Sequence, residues 1–227
     1  MNHSLHTTDE EKICFVTCVN DEEQYTRCVS KLQQLALPAG MRAETLSIRG
    51  AKSIFAAYQQ AVEQSDAKYK VYIHQDILIT YPHAIVELVS MFKANPNVGL
   101  AGVSGCVNLP ASGVWWESDM LCGAVFDSHT GQMKEYNFGS RQQIGLQDVE
   151  ALDGIFLATQ YDIDWRTDLF KGWHFYDISQ SQEFLRHGYR VVVVPQSEIW
   201  CTHECGRGWD KDAYYRARAV FLRYYKH

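Results

Sequence analysis

Between residues 12 and 105 short apolar, β-branched runs alternate with segments of helical period, and that alternation restricts the fold more than any other feature of the chain. Lys12 to Val19 (KICFVTCV) reads as a strand, followed at once by Asn20 and Asp21, residue types that cap helices, and by acids suited to a first turn. Tyr25, Cys28, Val29, Leu32 and Leu35 then mark one helical face, stopped by Pro38 and Gly40. Ala43 to Ile48 predicts a second strand, and Ser53 a cap for a helix bearing Ile54, Ala57, Tyr58, Ala61 and Val62. Tyr69 to Ile73 predicts a third strand, ending at His74-Gln75-Asp76. Ile85, Leu88, Val89 and Phe92 mark a third helix, ended by Asn95-Pro96, and Val98 to Val103 a fourth strand. Such a rhythm, joined by short turns, predicts a right-handed parallel α/β sheet whose ligands bind at the carboxyl ends of the strands.

From about Leu109 the rhythm gives way to Gly- and Trp-containing segments without helical period. Later, Ala151 to Thr159, Arg190 to Val194 and Ile199 to His203 read as strands. Asp177 to His187 reads as a helix, as does the C-terminal segment with Ala213, Ala217, Val220, Phe221 and Tyr224 on one face. The expected organisation is a polar, disordered tail over residues 1–11 and one domain over 12–227, with 106–150 as a variable insert.

Composition narrows the partners. The 227 residues carry 21 Lys plus Arg against 27 Asp plus Glu, and a net charge of -6 offers no general attraction to nucleic acid or to an anionic membrane. The N-terminus lacks the apolar core of a secretory signal. The longest uncharged stretch, Ala94 to Trp116, holds too many Gly, Pro and Asn residues for a membrane span. Seven cysteines without an export signal favour reduced thiols, hence a cytoplasmic protein.

Four constellations could carry chemistry. Tyr72-Ile73-His74-Gln75-Asp76 delivers a carboxylate to a strand end, where it could hold a divalent cation bridging two phosphates, or simply cap the Thr80/Pro82 region. Cys201-Thr202-His203-Glu204-Cys205 also ends an apolar strand. Zinc is one reading, but no fourth ligand has recognisable spacing, and His203 alone as a late-strand ligand is the better one. Trp173-His174-Phe175-Tyr176-Asp177 brings an acid to a helix start, as an N-cap, a general base or both. Asp153-Gly154 interrupts an apolar segment, which fits either close approach of a ligand or a β-bulge. Trp115, Trp116, Trp173, Trp200 and Trp209 could stack on a sugar or base, although most Trp residues are core. Gly99, Gly102 and Gly105 have the wrong spacing for a dinucleotide fingerprint, and no G-x-S-x-G hydrolase motif occurs.

Together, FVTCVNDEEQY, the Ser53 helix with Ala57-Tyr58-Gln59, YKVYIHQD, LDGIFLAT, FYDI followed by Gly188-Tyr189-Arg190-Val191, and His203 near Gly206 resemble the family-2-type glycosyltransferases of GT-A fold. The nearer likeness is to the glycosyltransferase-like branch that includes streptomycin-biosynthesis F-type proteins. The resemblance spans roughly residues 12 to 208. It implies a nucleotide-diphospho-sugar transferase fold, a mostly parallel mixed central sheet flanked by helices. Residues 12–105 would bind the nucleotide and 151–227 the acceptor. It implies a divalent cation, Mn²⁺ or Mg²⁺, on Asp76 and His203. Asn20, Asp21, Ser53, His74 and Gln75 would lie near the nucleotide and Asp153-Gly154 by the donor sugar. Asp177 would be the general base of an inverting transfer from a nucleotide sugar, a UDP-sugar first, to the hydroxyl of a glycan, lipid-linked sugar or small molecule.

Two departures stand out: His74 occupies a position usually held by Asp, and Tyr176 one usually held by Glu. A non-catalytic sugar-nucleotide or carbohydrate-binding protein on the same fold is the alternative. A nucleotidyltransferase ranks last, because CVNDEEQ is acidic and lacks Gly.

Overall fold

The computed structural model describes residues 7–139, 144–206 and 210–225. Trp209 and the first six residues of the expected tail lie outside them. The elements run β1 (Asp9–Val19), α1 (Glu22–Leu32), β2 (Arg42–Arg49), α2 (Ile54–Gln64), β3 (Ala67–His74), β4 (Ile77–Ile79), α3 (Ala84–Ala94), β5 (Val98–Gly102) and β6 (Ser104–Cys106). After a 3₁₀ turn at Trp115–Glu117 come β7 (Leu121–Asp127), β8 (Lys134–Asn137), β9 (Gln147–Asp148), β10 (Ala151–Leu152) and β11 (Phe156–Thr159). The chain closes with α4 (Tyr176–Arg186), β12 (Arg190–Val193), β13 (Cys201–His203) and α5 (Lys211–Tyr225). β1 begins at Asp9, so the end of the expected tail is already strand.

The fold is α/β. Seven strands form the main sheet in the order β2-β1-β3-β11-β5-β12-β9, with β2, β1 and β3 mutually parallel and β11 inserted antiparallel between β3 and β5. Its central strands are apolar on both faces because both faces are covered. Ile13 and Phe15 point into one core with α1 and α3, while Cys14 and Val16 point into the other with α2 and α4. The period of two thus feeds two cores from a single strand. On α3, Ile85, Leu88, Val89 and Phe92 are all buried, each worth about 1.5–3 kcal/mol of burial.

A second sheet, β10-β6-β7-β13-β4 with β8 on β7, crosses the carboxyl end of the first. Here the structure departs from the expected pattern. Residues 106–150 contribute three strands: β7 and β8, paired with each other in the second sheet, and the short β9 at the edge of the main sheet. The single strand expected over Ala151 to Thr159 is two, β10 and β11, broken at Asp153-Gly154-Ile155 and belonging to different sheets. Gly105 serves packing: a Cβ there would sit 2.2 Å from the Ala151 carbonyl oxygen. None of the seven cysteines, all of them among the described residues, is joined in a disulfide. Among the described residues no helix is long and apolar enough to cross a membrane.

Candidate active site

The parallel pairing of β1 with β3 sets Cys18 opposite His74, so Asn20-Asp21 and Gln75-Asp76 leave the sheet side by side. Between them opens a pocket of about 330 Å³ lined by Asn20, Gly50, Ile54, Tyr58, His74, Gln75, Asp76 and Trp173. A larger hollow of about 480 Å³, near Tyr81 and Gln196 to Ile199, contains none of the candidate residues.

Three of the expected nucleotide-side residues have local duties. Asp21 caps α1, accepting from Glu23 N and Gln24 N at 3.0 Å each, and Ser53 caps α2, accepting from Ala56 N at 3.1 Å. The Gln75 amide accepts from Asn20 N at 2.8 Å and Asp21 N at 2.9 Å and donates to Asn20 Oδ1 and Gln24 Oε1. It braces the β1–α1 turn against the end of β3.

Asp76 caps no helix. α3 begins at Ala84, with His83 in the N-cap position making no side-chain cap, and the Asp76 carbonyl accepts from Glu204 N at 2.9 Å. Its Oδ2 lies 3.6 Å from His203 Nε2, while its Oδ1 is buried with no hydrogen-bond partner. His203 reaches it because β13 lies between β4 and β7, with His203 opposite both Ile77 and Asp127. On the far side, His203 Nδ1 donates to Asp127 Oδ2 at 2.7 Å. Burial alone would lower the pKa of this imidazole, but the hydrogen bonds to Asp127 and Asp76 prevail and hold it at about 10. Asp127 in turn stays far below the usual carboxylate range, because donation from His203 and His129 outweighs its burial.

His74, Asp76 and His203 bring one ligand atom each to within 4.8 Å of one another. This set suits a divalent cation. An unpartnered buried carboxylate oxygen is otherwise costly, its donors are the oxygen and imidazole nitrogen that Mn²⁺ accepts, and one histidine is oriented by a carboxylate behind it, as metal-bound histidines usually are.

Asp177 is not the N-cap of α4. That place belongs to Phe175, the only non-glycine with positive φ among the described residues (φ 66), whose left-handed turn points Tyr176 and Asp177 inward. Asp177 Oδ1 accepts from Ile178 N at 2.8 Å and Oδ2 from Gly154 N at 3.1 Å, docking α4 onto the break between β10 and β11. Burial, reinforced by the nearby Asp153, pushes Asp177 up to about 7, and burial pushes Asp153 up to about 6. The two acids that the sequence separates by more than twenty residues are neighbours in one apolar site.

Tyr176 joins this acid pair to the cation set. Its hydroxyl hydrogen-bonds His74 Nε2, and it passes so close to Gly154 that a Cβ there would lie 2.0 Å from it. His74 is held neutral, its pKa lowered to about 4 chiefly by burial. The two departures from the family pattern, His74 and Tyr176, therefore touch each other.

Among the tryptophans, Trp115 and Trp200 are core, whereas Trp116 and Trp173 are each 47% exposed, Trp173 at the pocket rim. Asp127 was not foreseen, although Leu121 to Asp127 (LCGAVFD) is an apolar run ending on an acid, the same signal that singled out Asp76.

A search of curated proteins finds no match to the chain. A family model described as a glycosyltransferase-like family matches residues 14–225, a span that runs from within β1 to the end of α5 and takes in all the residues of this site. The chain therefore belongs to the glycosyltransferase-like family.

Proposed function

We propose that the protein transfers a sugar from a nucleotide-diphosphate donor, a UDP-sugar first, to an acceptor hydroxyl with inversion and with the help of a divalent cation. We also propose that it stands with the streptomycin-biosynthesis F-type branch, on the strength of His74-Gln75-Asp76. The observation that carries the transfer reading is Asp177, a carboxyl with a pKa near 7 fixed by two backbone N–H groups and linked through Tyr176 and His74 to Asp76 beside the pocket. A base tuned to neutral pH, standing apart from a cation set, is the division of labour such a transfer needs.

Asp177 takes the proton of the acceptor hydroxyl. The oxygen then forms a bond to the anomeric carbon while the bond to the diphosphate breaks on the opposite face, and the nucleoside diphosphate leaves with the electron pair. Asp153, sharing the apolar site, keeps Asp177 basic enough to accept that proton. Asp76 and His203, with His74 beside them, would hold Mn²⁺ or Mg²⁺, which supplies positive charge against the departing diphosphate. Asp127 fixes the His203 ring, and Gln75 fixes the turn that carries Asn20.

The test is release of nucleoside diphosphate from UDP-, GDP-, dTDP- and CDP-sugars with Mn²⁺ and a panel of saccharide and lipid-linked acceptors. Asp177→Asn is expected to keep donor binding and lose turnover. Donor binding without turnover in the wild type across the whole panel favours the non-catalytic binding protein instead.

A further inference from the structure

We propose that Asp127, His203 and Cys205 form a second cation site, built for a thiophilic divalent ion of the zinc class and distinct from the set centred on Asp76. Asp127 ends β7 and His203 ends β13, and the parallel pairing of these strands places them opposite each other. Cys205 follows two residues later and turns back toward the same carboxylate, its Sγ 3.6 Å from Asp127 Oδ1. One ligand atom from each residue lies within 4.8 Å of the others.

The backbone that carries these groups is pinned on both sides. Ser128 N and Oγ donate to the His203 carbonyl at 3.2 Å each, and Ser128 Oγ also reaches the Cys205 carbonyl at 3.1 Å. From the other side, Glu204 N donates to the Asp76 carbonyl at 2.9 Å, and the Glu204 carboxylate pairs with Arg27 at 2.6 Å. The three donors therefore sit on a fixed frame.

Their chemistry selects the ion. A carboxylate, an imidazole and a thiolate with an open fourth position make a mixed O, N, S set, which suits Zn²⁺ or Co²⁺ and is foreign to Mg²⁺. The spacing agrees: a tetrahedral ion with ordinary zinc–sulfur and zinc–oxygen bonds separates those two ligand atoms by about 3.5 Å. An ion on Oδ1, which now accepts from His129 N at 2.6 Å, would take His203 Nδ1 as well, and the 2.7 Å hydrogen bond from Nδ1 to Asp127 Oδ2 would be given up. Cys205 is also partly exposed, so an ion can reach it, whereas Cys201, which precedes it on β13, is fully buried in the core and cannot contribute. The site thus draws on one cysteine of the Cys201-to-Cys205 segment, not two, and finds its third ligand on a strand far away in sequence.

This site shares His203 with the cation set of the proposed transferase, but its existence does not depend on transfer, and its test reads no activity. The full-length protein, reduced without added thiols, is titrated with Co²⁺ and followed by absorption. The expected result is a thiolate-to-cobalt charge-transfer band in the near ultraviolet that saturates at one equivalent and is bleached by one equivalent of Zn²⁺. Cys205→Ser should abolish the band, Asp127→Asn should weaken Co²⁺ binding at least tenfold, and Asp76→Asn should leave the band in place. Circular dichroism of the three variants checks that they fold. Absence of the band in the wild type overturns the proposal. So does a band that survives Cys205→Ser, or one that disappears in Asp76→Asn.

Discussion

Replacing Asp177 with Asn should stabilise the protein at alkaline pH, and by an amount that depends on pH in a definite direction. Its carboxyl is raised from an ordinary value of 3.8 to about 7. Below pH 4 the folded and unfolded chains both carry the proton, and the group has no effect on stability. Between pH 4 and 7 the unfolded chain ionises while the folded one resists, so stability is lost as pH rises, and above pH 7 the loss is complete. A shift of about three units corresponds to about 4 kcal/mol at most. Asp177 keeps some accessible surface, and water there recovers part of this, so about half is the working figure. Asn has one acceptor oxygen for the two N–H groups of Ile178 and Gly154, a deficit of about 1 kcal/mol that does not vary with pH. The variant should therefore match the wild type near pH 5 and exceed it by about 1 kcal/mol at pH 8, or roughly 2–4 °C in Tm for a chain of this size. Release of Asp153 from its charged neighbour acts in the same direction. Thermal unfolding of both proteins at pH 5, 6, 7 and 8 is the assay. A difference that stays constant across that range would show that Asp177 is ionised throughout, and would refute its assignment as a base tuned by burial.

Other outcomes follow from the same geometry. Gly154→Ala forces a methyl group against the Tyr176 ring and should cost about 2–4 kcal/mol, from overpacking and from strain on the Tyr176–His74 hydrogen bond; an unchanged urea midpoint would sink this reading. Turnover should rise with pH and reach half its plateau near pH 7 as Asp177 loses its proton; a profile flat from pH 5 to 8 speaks against it. Lys70, buried inside β3, is paired with Asp162 through two contacts of 2.9 Å. Asp162→Asn should destabilise by about 2–3 kcal/mol, whereas Lys70→Met should be nearly neutral, as measured by urea unfolding.

Much of the first half was readable because its elements are locally determined. Helices α1 to α3 carry their buried residues at helical spacing, and the strands between them are short apolar runs that end on turn formers. Asp76, Asp153 and Asp177 stood out for one physical reason: an acid inside or at the end of an apolar segment needs a partner or a task. The break at Asp153-Gly154 was not readable, since β10 and β11 are both apolar and only their assignment to different sheets separates them. Asp127 escaped because β7 is flanked by the polar, turn-forming stretches Ser118-Asp119 and Ser128-His129-Thr130-Gly131, and because its partner His203 lies 76 positions further along the chain. The duty of Gln75 was equally hidden: its bonds to Asn20 and Asp21 bridge more than fifty residues, and no local pattern distinguishes a brace from a ligand-binding amide.

On the proposed mechanism, Asp76 and its histidines hold a cation against a nucleoside diphosphate in the pocket at the carboxyl ends of β1 and β3. Calorimetric titration of UDP, GDP, dTDP and CDP, with and without Mn²⁺, on the wild type and on Asp76→Ala, addresses it directly. One of these nucleotides should bind only when Mn²⁺ is present, and Asp76→Ala should abolish this binding. Failure of all four to bind, with Mn²⁺ or without, would contradict it.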